Sequence, residues 1–221
     1  SSTMHFHPLV KELKKLLQKD TIGKILIVQH HSGQYLPNWH PWEDYRKFFV
    51  SKKITGGARE LIPVELIWLT HIFNDIKMVS GNVEKISNLD VNIDDIYQVI
   101  MKFKNNISCT LTVDVLSIPS FRETKIIGEK GTILCNFSNS TIKILKGKKI
   151  KIIQLKLGNV AKGYSQTTPP ELLYEDELKT FLSSVKTRKK HSFSFKEELK
   201  ILNILDAIEK SSKVKKQIVL K

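Results

Sequence analysis

The sequence predicts an α+β fold: a large, mainly antiparallel open β-sheet with helices packed on one face and the other face left for oligomerisation. Three observations predict it. Helical periodicity gathers towards the two ends of the chain. The stretch from Lys77 to Leu157 alternates or runs apolar in short units, and tight-turn signals separate those units. At 221 residues, 41% hydrophobic and 26% charged, the chain has ordinary globular usage. Wholesale disorder, collagen and a disulfide scaffold are excluded, and residues 1–221 are expected to form a single domain.

The elements follow in order. After a short extended start, Ser1 to His7, Pro8 opens a helix with Leu9, Val10, Leu13, Leu16 and Leu17 at helical spacing, and Gly23 ends that unit. Residues 24–31 read as a strand. The segment from Ser32 to Tyr45 is too polar and too punctuated by Pro and Gly to be regular, so a long loop is expected, with a short helix near Trp42 to Phe49. Gly56 and Gly57 precede a second helix, about Ile62 to Phe73, with Pro63 in its first turn. That helix is apolar nearly all round, which marks it as buried.

Strands are expected over Gly81 to Ser87, Ile96 to Lys104, Ile107 to Leu116, Arg122 to Ile127, Thr132 to Phe137, Thr141 to Leu145 and Lys149 to Leu157. Hairpin turns fall after Phe103, at Gly128–Gly131 and at Lys146–Lys148. Gly158 to Pro170 reads as a loop. Glu171 to Val185 reads as a helix with Leu172, Leu178, Phe181, Leu182 and Val185 inward. Ser194 and Glu197 form a capping box for a last helix carrying Leu199, Leu202, Leu205 and Ile208. Gln217 to Leu220 is an edge strand. Apolar residues stand on both alternating sets of several strands, Ile150, Ile152, Ile153 and Leu155 among them. An exposed apolar sheet face is a liability in a monomer, so a homodimer or tetramer through that face is expected.

The net charge of +14 comes almost wholly from lysine; the arginines are Arg46, Arg59, Arg122 and Arg188. Bidentate phosphate and base readers favour arginine. The positive charge therefore reads as compositional, and no nucleic-acid partner is expected. Cys109 and Cys135 lack a CxxC partner and sit in apolar strands, so they read as buried thiols. No apolar run reaches a membrane span and no signal-peptide pattern opens the chain, so no membrane partner and a cytoplasmic location are expected.

Metal-site patterns are missing: His30, His31, His40 and His71 form no HxxxH or HExxH motif. Neither a Walker loop nor a GxGxxG is present, so the chain carries no dinucleotide fingerprint. Two segments remain. Gln34 to Arg46 crowds Tyr35, His40, Trp42, Tyr45 and Arg46 with two prolines: flat faces and polar tips that suit a sugar ring, or a surface loop packed on its own aromatics. Gly56-Gly-Ala-Arg-Glu-Leu-Ile-Pro-Val-Glu65 places Arg59, Glu60 and Glu65 at the start of the apolar helix. A carboxylate there is favoured by the helix dipole but needs a partner when buried, and Arg59 is the expected one.

Together these segments resemble the glucose–fructose oxidoreductase / inositol 2-dehydrogenase (Gfo/Idh/MocA) family, on its C-terminal, substrate-side domain. The resemblance rests on four stretches: His5-Phe-His-Pro8 with the helix and Ile22-Gly-Lys-Ile25 after it; Tyr35-Leu-Pro-Asn-Trp-His-Pro-Trp-Glu-Asp-Tyr-Arg46; Gly56-Gly57; and Phe121-Arg-Glu-Thr-Lys-Ile-Ile-Gly-Glu-Lys-Gly-Thr132. It implies an NAD(P)-dependent oxidoreductase acting on a sugar, nucleotide sugar or cyclitol alcohol. It also implies a missing N-terminal Rossmann domain, of which residues 1–7 are the remnant linker. NAD or NADP would serve the intact enzyme, and none would bind this chain alone. Substrate contacts would come from Tyr35, His40, Trp42, Tyr45, Arg46 and Arg59. Many relatives place a histidine acid–base where this chain has Val64, so either Glu65 beside it becomes the catalytic residue, or His40 or His71 supplies the proton through space, or this branch does other work. The alternative is a non-catalytic sugar-binding or assembly module derived from the family.

Overall fold

A computed structural model describes residues 2–157, 171–191 and 193–220. Its strands are β1 (Ile25–Tyr35), β2 (Ile76–Glu84), β3 (Ile96–Phe103), β4 (Ser108–Asp114), β5 (Leu116–Gly128), β6 (Gly131–Asn136), β7 (Thr141–Lys146), β8 (Lys149–Gln154) and β9 (Ile218–Val219). They form one sheet in the order β8-β7-β6-β5-β1-β4-β3-β2-β9. Every pairing is antiparallel except β1 with β4. The helices are α1 (Pro8–Gln18), α2 (Ala58–Phe73), α3 (Glu171–Thr187) and α4 (Phe195–Val214). The expected α+β architecture is what the chain adopts. The loop expected at Gly158 to Pro170 lies outside the described residues.

Pleat parity sorts the strands into two faces. On the helix-covered face the register aligns Val99, Leu111, His30, Thr124, Cys135, Ile142 and Ile153 in one row across the sheet. Most of that row is buried beneath the helices, and both cysteines are buried free thiols. On the open face the matching row reads Ile100, Thr110, Gln29, Lys125, Leu134, Lys143 and Ile152. Apolar residues therefore stand on both faces, as the alternation implied, with Ile100, Leu134, Ile150 and Ile152 on the open one. The open face is polar at its centre, with exposed isoleucines towards its margins at Ile100, Ile150 and Ile152.

Several boundaries differ from expectation for local reasons. β1 runs on to Tyr35 because its last residues pair with both β4 and β5. No helix forms near Trp42 to Phe49. That stretch is irregular, flanked by short 3₁₀ turns at Leu36–Asn38 and Phe49–Ser51. α2 starts four residues earlier than expected, leaving Pro63 inside it. Proline has no N–H, so the Arg59 carbonyl lacks its intrahelical donor. The early start is set by the glycine pair. Gly57 takes φ +64°, and a Cβ on Gly56 would lie 2.1 Å from the Val50 carbonyl oxygen. Ala58 N–H then bonds to Asp94 O at 3.2 Å.

The expected inward stripe of α3 is a further correction. Leu172, Leu178, Phe181, Leu182 and Val185 are exposed, and Leu173 is the helix's buried residue. α3 lies over the 3₁₀ turn Thr3–Phe6 rather than on the sheet, tied by Ser2 N–H to Glu177 at 2.5 Å and by Lys11 to Asp176 at 3.2 Å. Leu199 and Leu202 of α4 are likewise exposed, whereas Leu205 and Ile208 enter the core. The Ser194–Glu197 capping box forms as expected. Among the described residues no helix is long and apolar enough to cross a membrane.

Candidate functional site

One end of the sheet collects both sequence motifs. β1 and β4 are parallel and finish together there: Leu36 N–H bonds to Val115 O at 3.0 Å, and Val115 N–H to Asp95 O at 3.0 Å. The loop 36–51, the connection between β2 and β3, and the first turn of α2 therefore share that end. Tyr35 closes β1, half-buried, opposite Leu116. His40 stacks at 5.4 Å on Trp42 and 5.2 Å on Phe48, and its Nδ1 lies 3.6 Å from Glu43. Trp42 presents an exposed indole. Tyr45 packs on the core and its hydroxyl accepts from Asp90 N–H at 3.4 Å.

Arg46 grips Asp44 through Nε at 2.8 Å and Nη2 at 2.9 Å, and reaches Asp90 at 3.2 Å. This bidentate pair holds the Asp44 carboxyl down at about 2. The loop is thereby pinned to the β2–β3 connection. His40 and Trp42 thus pack together, Tyr45 and Arg46 both meet Asp90, and Tyr35 closes the strand that leads into the loop. Arg59 turns the other way: it donates to Glu209 of α4 at 2.6 Å and to Ile54 O at 2.8 Å. Tyr97 hydroxyl donates to the same Glu209 at 3.0 Å.

Glu65 has a different partner from the one expected. Its carboxylate is fully buried, and Arg122 Nε of β5, not Arg59, lies 3.0 Å from Oε1. The Arg122 N–H is directed to Ser32 Oγ at 3.4 Å, so the Glu65 contact is a charge pair without hydrogen-bond geometry. Oε2 accepts from His30 Nε2 and from Trp68 Nε1, both at 2.8 Å. A carboxylate only accepts, so His30 Nε2 carries the proton, and Nδ1 meets Thr124 Oγ1 at 2.8 Å.

Burial alone would raise the Glu65 pKa. The Arg122 charge and the His30 and Trp68 bonds outweigh it and hold the carboxyl near 2. His7 sits close by, capping α1 by accepting from Leu9 N–H at 3.2 Å. Burial, with Arg122 second, pushes its pKa down to about 3. This ionic cluster ties α2 to β1 and β5. His30, Ser32, Arg122 and Thr124 were missed by sequence reasoning. The available signal was an arginine sharing strand parity with core residues on β5.

Glu60 behaves differently. It stands in the first turn of α2, one helical turn before Val64, and makes no hydrogen bond or ion pair among the described residues. Its Oε2 is buried without a partner, and burial is the cause that pushes its pKa up to about 7. A second orphan, Trp39 Nε1, lies in the loop at the same end of the sheet. On the open face, His31 Nε2 donates to Asp114 Oδ2 at 2.7 Å, beside a shallow cleft of about 440 Å³ lined by Gln29, Thr110, Thr112, Glu123 and Lys143 among others. Among the described residues no group of three His, Cys, Asp or Glu could hold a metal ion.

Residues 10–134, more than half of the chain and including both motifs, match the sequence profile of the GFO/IDH/MocA C-terminal domain. The chain belongs to the GFO/IDH/MocA family. Solved structures with the same fold include levoglucosan dehydrogenase in its apo form, 14% identical with TM-score 0.80, covering 100% of this chain and 66% of that one. An oxidoreductase domain protein from Kribbella flavida is 16% identical with TM-score 0.77, covering 97% and 63%. An oxidoreductase from Agrobacterium radiobacter, in complex with NAD+, L-tartaric acid and magnesium, is 13% identical with TM-score 0.78, covering 99% and 64%. The chain thus spans less than two thirds of the length of each. No curated protein matches it.

Proposed function

We propose that this GFO/IDH/MocA chain is the substrate-side domain of an NAD(P)-dependent oxidoreductase acting on an alcohol of a sugar, nucleotide sugar or cyclitol. The observation that carries the reading is the meeting of the aromatic loop and the α2 N-terminus at one end of the sheet, within the matched residues. Levoglucosan dehydrogenase among the structural neighbours supports the substrate class. In this reading residues 1–221 act as one domain in the cytoplasm. Trp42 and Tyr35 offer flat faces to a ring, His40 and Tyr45 offer polar tips, and Arg46 holds the loop in place.

A nicotinamide would supply the hydride chemistry. The described residues do not fit its dinucleotide: among them β1 and β4 are the one parallel strand pair, and no glycine-rich turn joins a strand directly to a helix. Isothermal titration of this chain with NADH or NADPH should give no heat of binding. Saturation-transfer NMR with levoglucosan, L-sorbose and L-tartrate should show contact for at least one of them, lost in Trp42→Ala. Absence of contact with all such polyols would sink the reading.

The catalytic role expected of Glu65 requires an open carboxylate, and its carboxylate is sealed and triply engaged. That observation, with Val64 in place of a histidine, favours the second reading, a non-catalytic sugar-binding or assembly module. A second copy on the open sheet face, as homodimer or tetramer, belongs to both readings. Sedimentation velocity should show it at micromolar concentration, and Leu134→Lys with Ile152→Lys should dissociate it. A monomer in the unmodified chain would refute it.

A further inference from the structure

We propose that a second copy of this chain docks on the outer face of α3, the two helices packing antiparallel about a two-fold axis. The inference concerns a different face from the open sheet and does not depend on the substrate-side reading. A surface helix ordinarily turns its apolar stripe to the core and its polar side to water. α3 does the reverse. Its inward positions are Asp176, Glu177, Thr180 and Ser184, half-buried beside Leu173. Asp176 meets Lys11, Glu177 accepts from Ser2 N–H, and the Thr180 and Ser184 hydroxyls donate back to the carbonyls of Asp176 and Thr180 at 2.7 and 2.9 Å. Tyr174, Leu178, Phe181, Leu182 and Val185 are about half exposed. They recur at helical spacing, so they form one continuous stripe on the outer side. Apolar surface of this kind is unfavourable in water and marks a place where another surface packs.

The charges along α3 select the occupant. Its first half carries Glu171, Glu175, Asp176 and Glu177, and its far end runs into Lys186, Arg188, Lys189 and Lys190. A partner of one sign would match half of this helix and repel the other half. A parallel copy would set like charges together. An antiparallel copy sets each acidic half against a basic one. Glu175 and Lys186 stand eleven positions apart, about three turns, and so flank the stripe on the same side. A two-fold axis at the level of Phe181 brings Glu175 of each copy to the partner's Lys186, and Leu178 to the partner's Leu182 and Val185. Glu175 holds Lys179 at 3.0 Å in an exposed pair that water and neighbours can exchange, and Lys186 has no ion pair among the described residues. Five half-exposed side chains offer on the order of 500 Å² a copy, about 1,000 Å² in total before the charged flanks are added. That is the size of a weak, reversible interface, so the dimer should form at tens of micromolar and above.

The test is sedimentation equilibrium, up to hundreds of micromolar, on the chain carrying Leu134→Lys and Ile152→Lys, which removes association through the open sheet. That chain should still dimerise. Adding Leu178→Glu with Leu182→Glu should abolish the dimer and leave the circular dichroism spectrum unchanged. Glu175→Lys and Lys186→Glu should each weaken it about tenfold, and the two together should restore it, because each pair is then reversed and not broken. In the otherwise unmodified chain, Phe181→Cys lies by the axis and should cross-link to itself with a short bis-maleimide, the native Cys109 and Cys135 being buried. Dimerisation that survives Leu178→Glu with Leu182→Glu overturns the proposal. So does a charge-reversed double variant as weak as its worse single, since only antiparallel pairing predicts the rescue. A monomer at every concentration with no cross-link at Phe181→Cys also overturns it, and leaves the stripe to a different polypeptide. Self-association lost with Leu134→Lys and Ile152→Lys alone overturns it too, and that result spares the dimer on the open sheet face.

Discussion

His30 and His31 are adjacent on β1, and each meets a carboxylate: Glu65 at 2.8 Å and Asp114 at 2.7 Å. Strand parity sends them to opposite faces. The first pair is fully buried among Trp68, Phe137 and Arg122. The second has a His31 side chain that is 41% exposed. The geometry of the two contacts is nearly the same, so the difference lies in the surroundings. In the sealed pair each partner's charge or polarity is affordable only because the other is present, whereas water can take the place of the half-exposed histidine of the open one. One face of the sheet is thus held by an ionic hub that cannot be dismantled piecemeal, and the other is free to carry changeable chemistry.

The sharpest way to break this comparison is Glu65→Ala. It leaves Arg122 buried without its counter-charge and His30 without its acceptor, and should cost about 3–5 kcal/mol in urea unfolding. Glu65→Leu combined with Arg122→Met removes both charges and should recover much of that loss. A cost below about 1 kcal/mol for Glu65→Ala would mean that the hub is hydrated and resembles the open pair after all.

Acid should find the same face. His7 has a folded pKa near 3 against an ordinary 6.5, so its stabilising contribution is full above pH 6.5 and is lost as pH falls through 6.5 towards 3. Glu65, near 2 against 4.5, loses its contribution as pH falls from 4.5 towards 2. Thermal unfolding should show Tm declining in these two overlapping windows. His7→Asn keeps an acceptor for Leu9 N–H and should flatten the upper one. A Tm unchanged between pH 7 and 4 would contradict the burial of His7. Glu60 has the opposite sign: its folded pKa near 7 means stability is lost as pH rises from 4.5 to 7, so Glu60→Gln should raise Tm by a few degrees at pH 8.

These effects mark what the sequence could reveal. The hairpins, the capping box at Ser194 and the buried α2 were readable because turn chemistry and periodicity are local. The loop from Tyr35 to Arg46 was readable as a constellation because its residues are contiguous. The partner of Glu65 was not, since Arg122 lies 57 positions away and pairing depends on which β5 residues share the pleat parity of His30. The polar centre of the open face escaped for the same reason, because register decides which alternating set faces out. The stripe of α3 reads as inward and is exposed instead, because periodicity names an apolar side without naming what covers it. Glu60 looked like an ordinary first-turn carboxylate until its lack of any partner could be seen.

On the open face the carboxylate should matter more than its histidine. Asp114 also accepts from Leu116 N–H and Ser117 N–H, each at 2.9 Å, and from Ser117 Oγ at 2.8 Å. Burial would raise its pKa, but His31 and these donors hold it below the ordinary value. Asp114→Ala strands two backbone donors where β4 passes into β5, and should cost about 1–3 kcal/mol. Asp114→Asn should cost less, because an amide oxygen still accepts from both N–H groups.

His31→Ala should have the smallest effect and tests the comparison most directly. Removing it takes one donor from a carboxylate that keeps three others, and water can reach the vacated position. The expected loss is about 0.2–1 kcal/mol, the range of exposed ion pairs, and it should shrink further in 1 M salt, where the Debye length falls to about 3 Å. His30→Ala, one residue away, should lose several times as much and show little salt dependence, because salt does not screen a sealed pair. A double-mutant cycle of His31→Ala with Asp114→Asn would give the coupling free of the turn's own bonds. Equal coupling energies for the two pairs would mean that something covers the open face in solution, as a second copy of the chain packed over His31 would.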